Sequence, residues 1–256
     1  MLTLQLVSDL HIEYNNDSVD VDPFEYITPS ADVLVLAGDI GSLYKLDQLT
    51  NFIKKAAACF KHTLYVLGNH EYYLPPKGVD VHVPFDELTK RALNLEKSIP
   101  DLTVLNRSSV QFGRLCVVGA TLWSDLRCDL PRFIVQIKDV NTERYKSMHL
   151  RDRTYIEKMT TYCRENGLRM VCVTHHPPSY KVTEKSGKRE RFISLYASDL
   201  DHLMVKSDID TWVCGHVHTN FDMITEGGTR LVGNQKGKPK DKITDYSKDM
   251  VISYEY

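Results

Sequence analysis

The run Val33-Leu34-Val35-Leu36-Ala37-Gly38-Asp39 constrains this chain more than any other stretch. Four large aliphatic residues and an alanine, with Ser30 and Asp32 before them and a glycine after, read as a short strand buried on both faces. A carboxylate follows directly. A charge at the end of a buried strand is costly unless it is compensated, so Asp39 either meets a cation or metal ion or caps the strand-to-loop turn.

The same layout recurs along the chain. Leu2–Val7 runs into Ser8-Asp9-Leu10-His11, and Thr63–Leu67 into Gly68-Asn69-His70-Glu71. Arg169–Thr174 runs into His175-His176-Pro177-Pro178, and Thr211–Cys214 into Gly215-His216-Val217-His218. In an extended backbone residues i and i+2 point to one side, so Asp9 and His11 can grip one ion together; His216 and His218 repeat the spacing. The glycines are expected to let the backbone turn tightly. Asn69 offers an amide oxygen, while its neighbour His70 should point elsewhere and stay free for substrate. The prolines after His176 hold their loop extended, so at least one of the two adjacent imidazoles is presented at the strand edge.

Taken singly, each of these residues could be an ordinary turn or surface residue. Together, Asp9, His11, Asp39, Asn69, one of His175 and His176, His216 and His218 form a nitrogen and oxygen set too large for one tetrahedral ion, and two ions sharing a ligand fit it. Divalent Mn, Fe or Zn suit imidazole with carboxylate, and the lack of thiolate argues against copper(I) or an iron–sulfur cluster.

Between these strands, apolar spacing predicts helices over Asp47–Cys59, Phe85–Ile99, Thr154–Asn166 and Leu195–Val205. Thr103–Leu105, Ser109–Phe112, Leu115–Ala120, Met223–Thr225, Thr229–Val232 and Met250–Tyr254 read as short strands. Arg127–Arg151 has no clear period and receives no element. Thr121–Asp125 reads as an ordinary strand-end loop in preference to a site-lining one, Tyr72–Pro84 as a loop at the mouth of the site, and Lys181–Arg191 as a solvated loop rather than a phosphate-attracting lid.

Composition narrows the partners. The 256 residues suffice for one domain over 1–256, and a net charge of -2 leaves no global basic footprint, so nucleic acid is the less favoured partner. No apolar run approaches the roughly 20 residues of a membrane span. Met1–Ser8 reads as a strand rather than a signal peptide, so a cytoplasmic location is expected. The 6 cysteines are scattered without a CxxC pair and are expected as reduced thiols.

These five motifs, in this order and in these strand contexts, resemble those of the calcineurin-like metallophosphoesterases. Gly119-Ala120-Thr121-Leu122-Trp123 and Tyr196-Ala197-Ser198-Asp199-Leu200 are further similar to a bacterial-type branch of that family. The resemblance implies an α/β fold, a four-layer αββα sandwich of two mixed β-sheets flanked by helices. It implies one ion held by Asp9, His11, Asp39 and His218 and a second by Asp39, Asn69, His175 and His216, with Asp39 bridging. His175 is preferred over His176 as the ligand because it follows its strand directly. Ions roughly 3.5–4 Å apart would hold a hydroxide for in-line attack on phosphorus. Asp39 and His70 would then be catalytic, with His70 as general acid, Asn69, His70 and His176 near the substrate, and Glu71 in support. The activity implied is hydrolysis of a small phosphomonoester or phosphodiester, cyclic nucleotides included; the alternatives are a nuclease of the same fold and a metal-binding, non-catalytic interaction scaffold.

Overall fold

The computed structural model describes residues 1–15, 18–75, 83–186 and 190–255. Strands β1 (Leu2–Val7) and β2 (Val33–Ala37), helix α1 (Leu46–Ala57), β3 (His62–Val66), helix α2 (Phe85–Ser98) and β4 (Leu102–Val104) form the first half. The second comprises β5 (Ser108–Phe112), β6 (Leu115–Ala120), helix α3 (Thr142–Glu165), β7 (Arg169–Thr174), β8 (Thr211–Val213), β9 (Phe221–Ile224), β10 (Arg230–Gly233) and β11 (Val251–Tyr254). Two mixed sheets result, ordered β11-β1-β2-β3-β4 and β5-β6-β7-β8-β10-β9. In the first, β1 to β4 run parallel and β11 closes the edge antiparallel. In the second, β6, β7, β8 and β10 are parallel between antiparallel β5 and β9.

Strand alternation sorts the uniform Val33–Ala37 run into two cores. Val33, Val35 and Ala37 join Leu4, Leu6, Leu64 and Val66 against Val117, Val171, Val173, Val213 and Val232, which is the layer between the sheets. Leu34 and Leu36 point the other way, into Leu49, Phe52 and Ile53 of α1 and Leu88, Ala92 and Leu95 of α2. On the outer face of the second sheet, Val118, Met170, Cys172 and Trp212 pack on Ile156 and Cys163 of α3. Burying each such aliphatic side chain is worth about 1.5–3 kcal/mol, so the αββα layering follows from which face each apolar residue occupies. Cys116, Cys163, Cys172 and Cys214 are buried free thiols. Among the described residues no helix is long and apolar enough to cross a membrane.

Two helix expectations need correction. The helix expected over Thr154–Asn166 begins at Thr142, where Asn141 caps it by accepting the amide of Arg144 at 2.9 Å. Its buried stripe runs Tyr145, Met148, His149, Asp152, Ile156, Thr160, Cys163; the polar His149, Asp152 and Thr160 interrupt it, so apolar spacing does not reveal the first three turns. Leu195–Val205 is not an α-helix but carries short 3₁₀ turns at Glu190–Leu195 and Asp201–Leu203. There the amides of Ser198 and Leu200 donate to the carbonyls of Pro177 and Pro178, which draws the segment along the proline loop. Of the basic loop at 181–191, residues 187–189 lie outside those described. Lys181 commits its ammonium to Glu226 (2.7 Å) and Asp201 (3.2 Å).

Candidate metal centre

The parallel strands β1, β2, β3, β7 and β8 all deliver their C-terminal ends to one side of the sandwich, and the five motifs meet there. The backbone does this differently from the extended i, i+2 geometry expected. The strands have ended, and Asp9 (φ 53), His11 (φ 49), Asp39 (φ 52), His216 (φ 71) and His218 (φ 52) all adopt the left-handed conformation. His216 and His218 consequently diverge into two different groups, the division that the resemblance implies. Gly38, at φ +88, supplies the tight turn expected of it, but Gly68 serves close approach: a Cβ there would lie 2.5 Å from the Asp39 amide and collide with its carboxylate.

Ligand atoms of Asp9, His11, Asp39 and His218 lie within 4.8 Å of one another, as do those of Asp39, His175 and His216. In the first group His218 Nε2 is 3.2 Å from Asp9 Oδ1 and 3.1 Å from His11 Nε2. In the second, His175 Nε2 lies 3.3 Å from Asp39 Oδ1, 3.0 Å from Asn69 Oδ1 and 3.2 Å from His216 Nδ1. Asp39 belongs to both groups, and Asn69 joins the second through its amide oxygen.

The outer nitrogens of the four imidazoles explain this orientation. His11 Nδ1 faces Glu13 (3.0 Å), His218 Nδ1 faces Asp241 (2.6 Å), His175 Nδ1 faces the carbonyl of Ala37 (3.0 Å) and His216 Nε2 that of Leu195 (3.3 Å). Each ring can donate its proton outward, which is how a protein fixes the tautomer of a metal-binding histidine. The remaining lone pairs then face one another and two buried carboxylates across about 3 Å. Such a set repels itself unless a cation sits among it, so the residues fit divalent metal.

The charges agree. Burial opposes ionisation of Asp39, but His175, His70 and His11 hold its carboxyl well below the usual range; Asp9, buried as deeply, is lowered by its bond to His218. Burial likewise works against a charged His175, yet Asp39 outweighs it and raises the imidazole to about 9, so that without a metal ion a proton on Nε2 supplies the positive charge the carboxylates demand. Burial keeps His216 and His176 well below the ordinary histidine range. Glu71 stands behind the cluster, accepting the amides of Asp39 (3.1 Å), Ile40 (2.8 Å) and Gly68 (2.8 Å) and the Tyr65 hydroxyl (2.7 Å). Burial and then Asp39 push it up to about 8, and its work is to hold the two ligand loops together.

His70 lines the cavity over the cluster, but it is not free as expected. Its Nδ1 faces Glu13 at 3.2 Å, its Nε2 meets Lys238 Nζ at 2.9 Å, and Tyr73 stacks on its ring at 4.5 Å. Burial lowers its pKa. A cavity of ≈ 230 Å³ lies over the cluster, lined by Asp39, Asn69, His70, His176, His216 and His218 together with Lys238, Lys240 and Asp241. His176, buried at 1%, has no partner for Nδ1 among the described residues, and its ring lies 4.1 Å from that of His216 and 5.7 Å from Trp123.

Thr121–Asp125 does more than an ordinary loop would. Leu122 (φ 67) and Trp123 (φ 30) are held in unusual conformations by α3: His149 Nδ1 donates toward both carbonyls at 2.9 Å, and Asp152 accepts the Leu122 amide at 2.9 Å and Arg107 at 2.6 Å. That turn places Trp123 against His176. Asp152→Ala should therefore destabilise the protein by about 3 kcal/mol, because it strands a buried amide and a guanidinium. Asp152→Asn, which retains an acceptor, should cost less; urea midpoints at constant slope measure both.

Sequence reading omitted Glu13, Lys238 and Asp241. Glu13 lies two residues beyond His11 and continues the Asp-x-His motif, which was a usable signal. Asp241 and Lys238 come from a Lys-rich turn with no local mark of function.

Residues 3–220 match the sequence pattern of a family described as calcineurin-like phosphoesterase. A protein of Acanthamoeba polyphaga mimivirus described only as uncharacterized is 22% identical over 254 residues, covering 89% of this chain and 88% of its own. Among solved structures, a phosphopantetheinyl hydrolase from Mycobacterium tuberculosis superposes with a TM-score of 0.70 at 15% identity, covering 93% of this chain and 90% of that one. A dimetal phosphatase from Danio rerio reaches a TM-score of 0.51 at 13% identity, covering 91% and 86%. At these identities the structural likeness concerns the fold.

Proposed function

This chain belongs to the calcineurin-like phosphoesterase family, and from that premise we propose that it hydrolyses phosphate monoesters with two divalent metal ions. Asp9, His11, Asp39 and His218 would hold one ion, and Asp39, Asn69, His175 and His216 the other, with Asp39 shared. The observation that carries this reading is the set of four imidazoles whose outer nitrogens are tied to acceptors while their inner nitrogens crowd two buried carboxylates. One fold neighbour is described as a dimetal phosphatase, which agrees with two ions.

Bound there, divalent ions polarise phosphoryl oxygens and make a water nucleophilic near neutral pH. The chain's own groups do the rest. Lys238 and Lys240 line the cavity and offset the charge of a dianionic ester, which favours a monoester over a singly charged diester. Glu13 fixes His70 through Nδ1 and turns Nε2 toward the cavity. Nε2 accepts from the Lys238 ammonium at 2.9 Å, so it would take a proton from Lys238 and hand it to the departing alcohol. His176 walls the cavity beside His216 and keeps that ring in place.

Chelation followed by metal add-back tests the reading. Mn²⁺, Zn²⁺ or Fe²⁺ should restore hydrolysis of a panel of mono-, di- and cyclic phosphoesters, with monoesters the best. The ions should also stabilise the fold, by about 4 kcal/mol at a thousandfold excess over the dissociation constant, or roughly 10 °C in melting temperature for a chain of this size. A melting temperature and an activity indifferent to chelation would overturn it.

A further inference from the structure

Beside His70 the surface opens into a second cavity of ≈ 900 Å³, against ≈ 230 Å³ for the one over the ligand cluster. The two share a wall, because His70, Tyr73, Ile134, Val135 and Lys238 line both. A group joined to phosphorus in the small cavity through an oxygen at His70 therefore passes directly into the large one. That volume lies at the upper end of what encloses an organic ligand of several rings, and a glycerol-sized alcohol would leave most of it to water.

The stretch without sequence period builds one side. Tyr73 bridges to Ile137, and the Leu74 amide donates to the carbonyl of Gln136 at 2.8 Å, so residues 132–138 stand as a wall facing 70–75. Tyr14, Tyr44, Tyr73, Ile134 and Ile137 give this cavity flat aromatic and aliphatic surface. Its charge is uneven: Lys45, Arg132, Lys138 and Lys238 line it against the single carboxylate of Glu13, which already faces His11 and His70. Arg132 and Lys138 line the large cavity and not the small one, so they lie away from the scissile phosphate; Lys138 is 3.7 Å from Asp139, a loose and exposed pair that leaves its ammonium able to meet a second anion.

We infer that this cavity receives the leaving alcohol, and that the substrate is a phosphate monoester of a bulky, ring-bearing alcohol carrying a second anionic group. The inference rests on the phosphoesterase reading and adds the substrate class. In the step itself the oxygen of water bonds to phosphorus and the P–O ester bond breaks; the departing oxygen takes the proton that Lys238 passes to His70 Nε2, and the water's protons leave on the phosphate, one of them returning to restore Lys238. Rings stack on the tyrosines, and the second anion is met by Arg132 and Lys138.

Three alkyl esters with comparable leaving oxygens separate the contributions: glycerol phosphate, adenosine 5′-monophosphate and adenosine 3′,5′-bisphosphate. On the metal-loaded enzyme kcat/KM should rise at least tenfold at each step of that series. The double variant Arg132→Glu, Lys138→Glu should lower the ratio of the third to the second at least tenfold. Equal kcat/KM across the series, or a ratio the double variant leaves unmoved, overturns the inference. If no ester is hydrolysed, the phosphoesterase reading fails separately, and calorimetric titration with adenosine 3′,5′-bisphosphate still decides the cavity's role. At least tenfold weaker binding by the double variant supports it; absent or equal binding by both proteins overturns it.

Discussion

Asp39→Asn is expected to lower kcat by on the order of 10³-fold or more, and to reduce bound metal from two ions per chain to at most one. The carboxylate touches both ligand groups: Oδ1 lies 3.3 Å from His175 Nε2, and Oδ2 lies 3.8 Å from His11 Nε2. It also accepts the His70 amide at 2.7 Å, which is why asparagine is the informative replacement. Asparagine keeps the volume and one acceptor for that amide, so the loops should stay in place while the shared charge disappears. Alanine would add a stranded amide to the lost ligand and confuse the two effects. Metal content by elemental analysis beside kcat settles the matter, and two retained ions with near-parent turnover would remove Asp39 from the bridging position.

The second large effect is expected at His70. His70→Gln should cost on the order of 10²- to 10⁴-fold in kcat for esters of ordinary alcohols, and less than about tenfold for p-nitrophenyl phosphate, whose leaving group departs without a proton. The contrast is needed because His70 also makes structural contacts. It holds Glu13 on one side and Lys238 on the other, and Tyr73 stacks on it. A purely positioning residue would lower both substrate classes alike. The leaving-group dependence of the loss therefore separates proton transfer from the placement of Lys238.

Much of the fold was legible because its parallel strands are short and buried, and their ends carry unusual polar residues. Val33–Ala37 and Leu115–Ala120 match the expected strands residue for residue, and α1 and α2 lie within a residue or two of expectation. What was not legible was polar and buried. The first half of α3 presents His149 and Asp152 inward to hold the turn at Leu122, so its stripe looks irregular to any reading based on hydrophobicity. The residues of the candidate site stood out by type and order, and the structure brings them together. Their partners did not, since Asp241 and Lys238 arrive at His218 and His70 from a distant turn through tertiary contact alone. The left-handed backbone at the cluster was hidden for another reason: aspartate and histidine there carry no sequence signature that glycine would have provided.

That backbone conformation has a consequence for how the centre can be disabled. Each of the five left-handed residues costs on the order of 1 kcal/mol in local strain, which a glycine at the same place would not incur. His216 and His218 in addition line the open cavity, so trimming their rings seals no void inside the protein. Replacing either histidine by glycine should thus remove a proposed metal donor and relax the chain at once. On the proposed function, turnover and foldedness should therefore be uncoupled at these two positions, and the scaffold should lend itself to inert, well-folded forms that retain an uncleaved ester long enough to be identified.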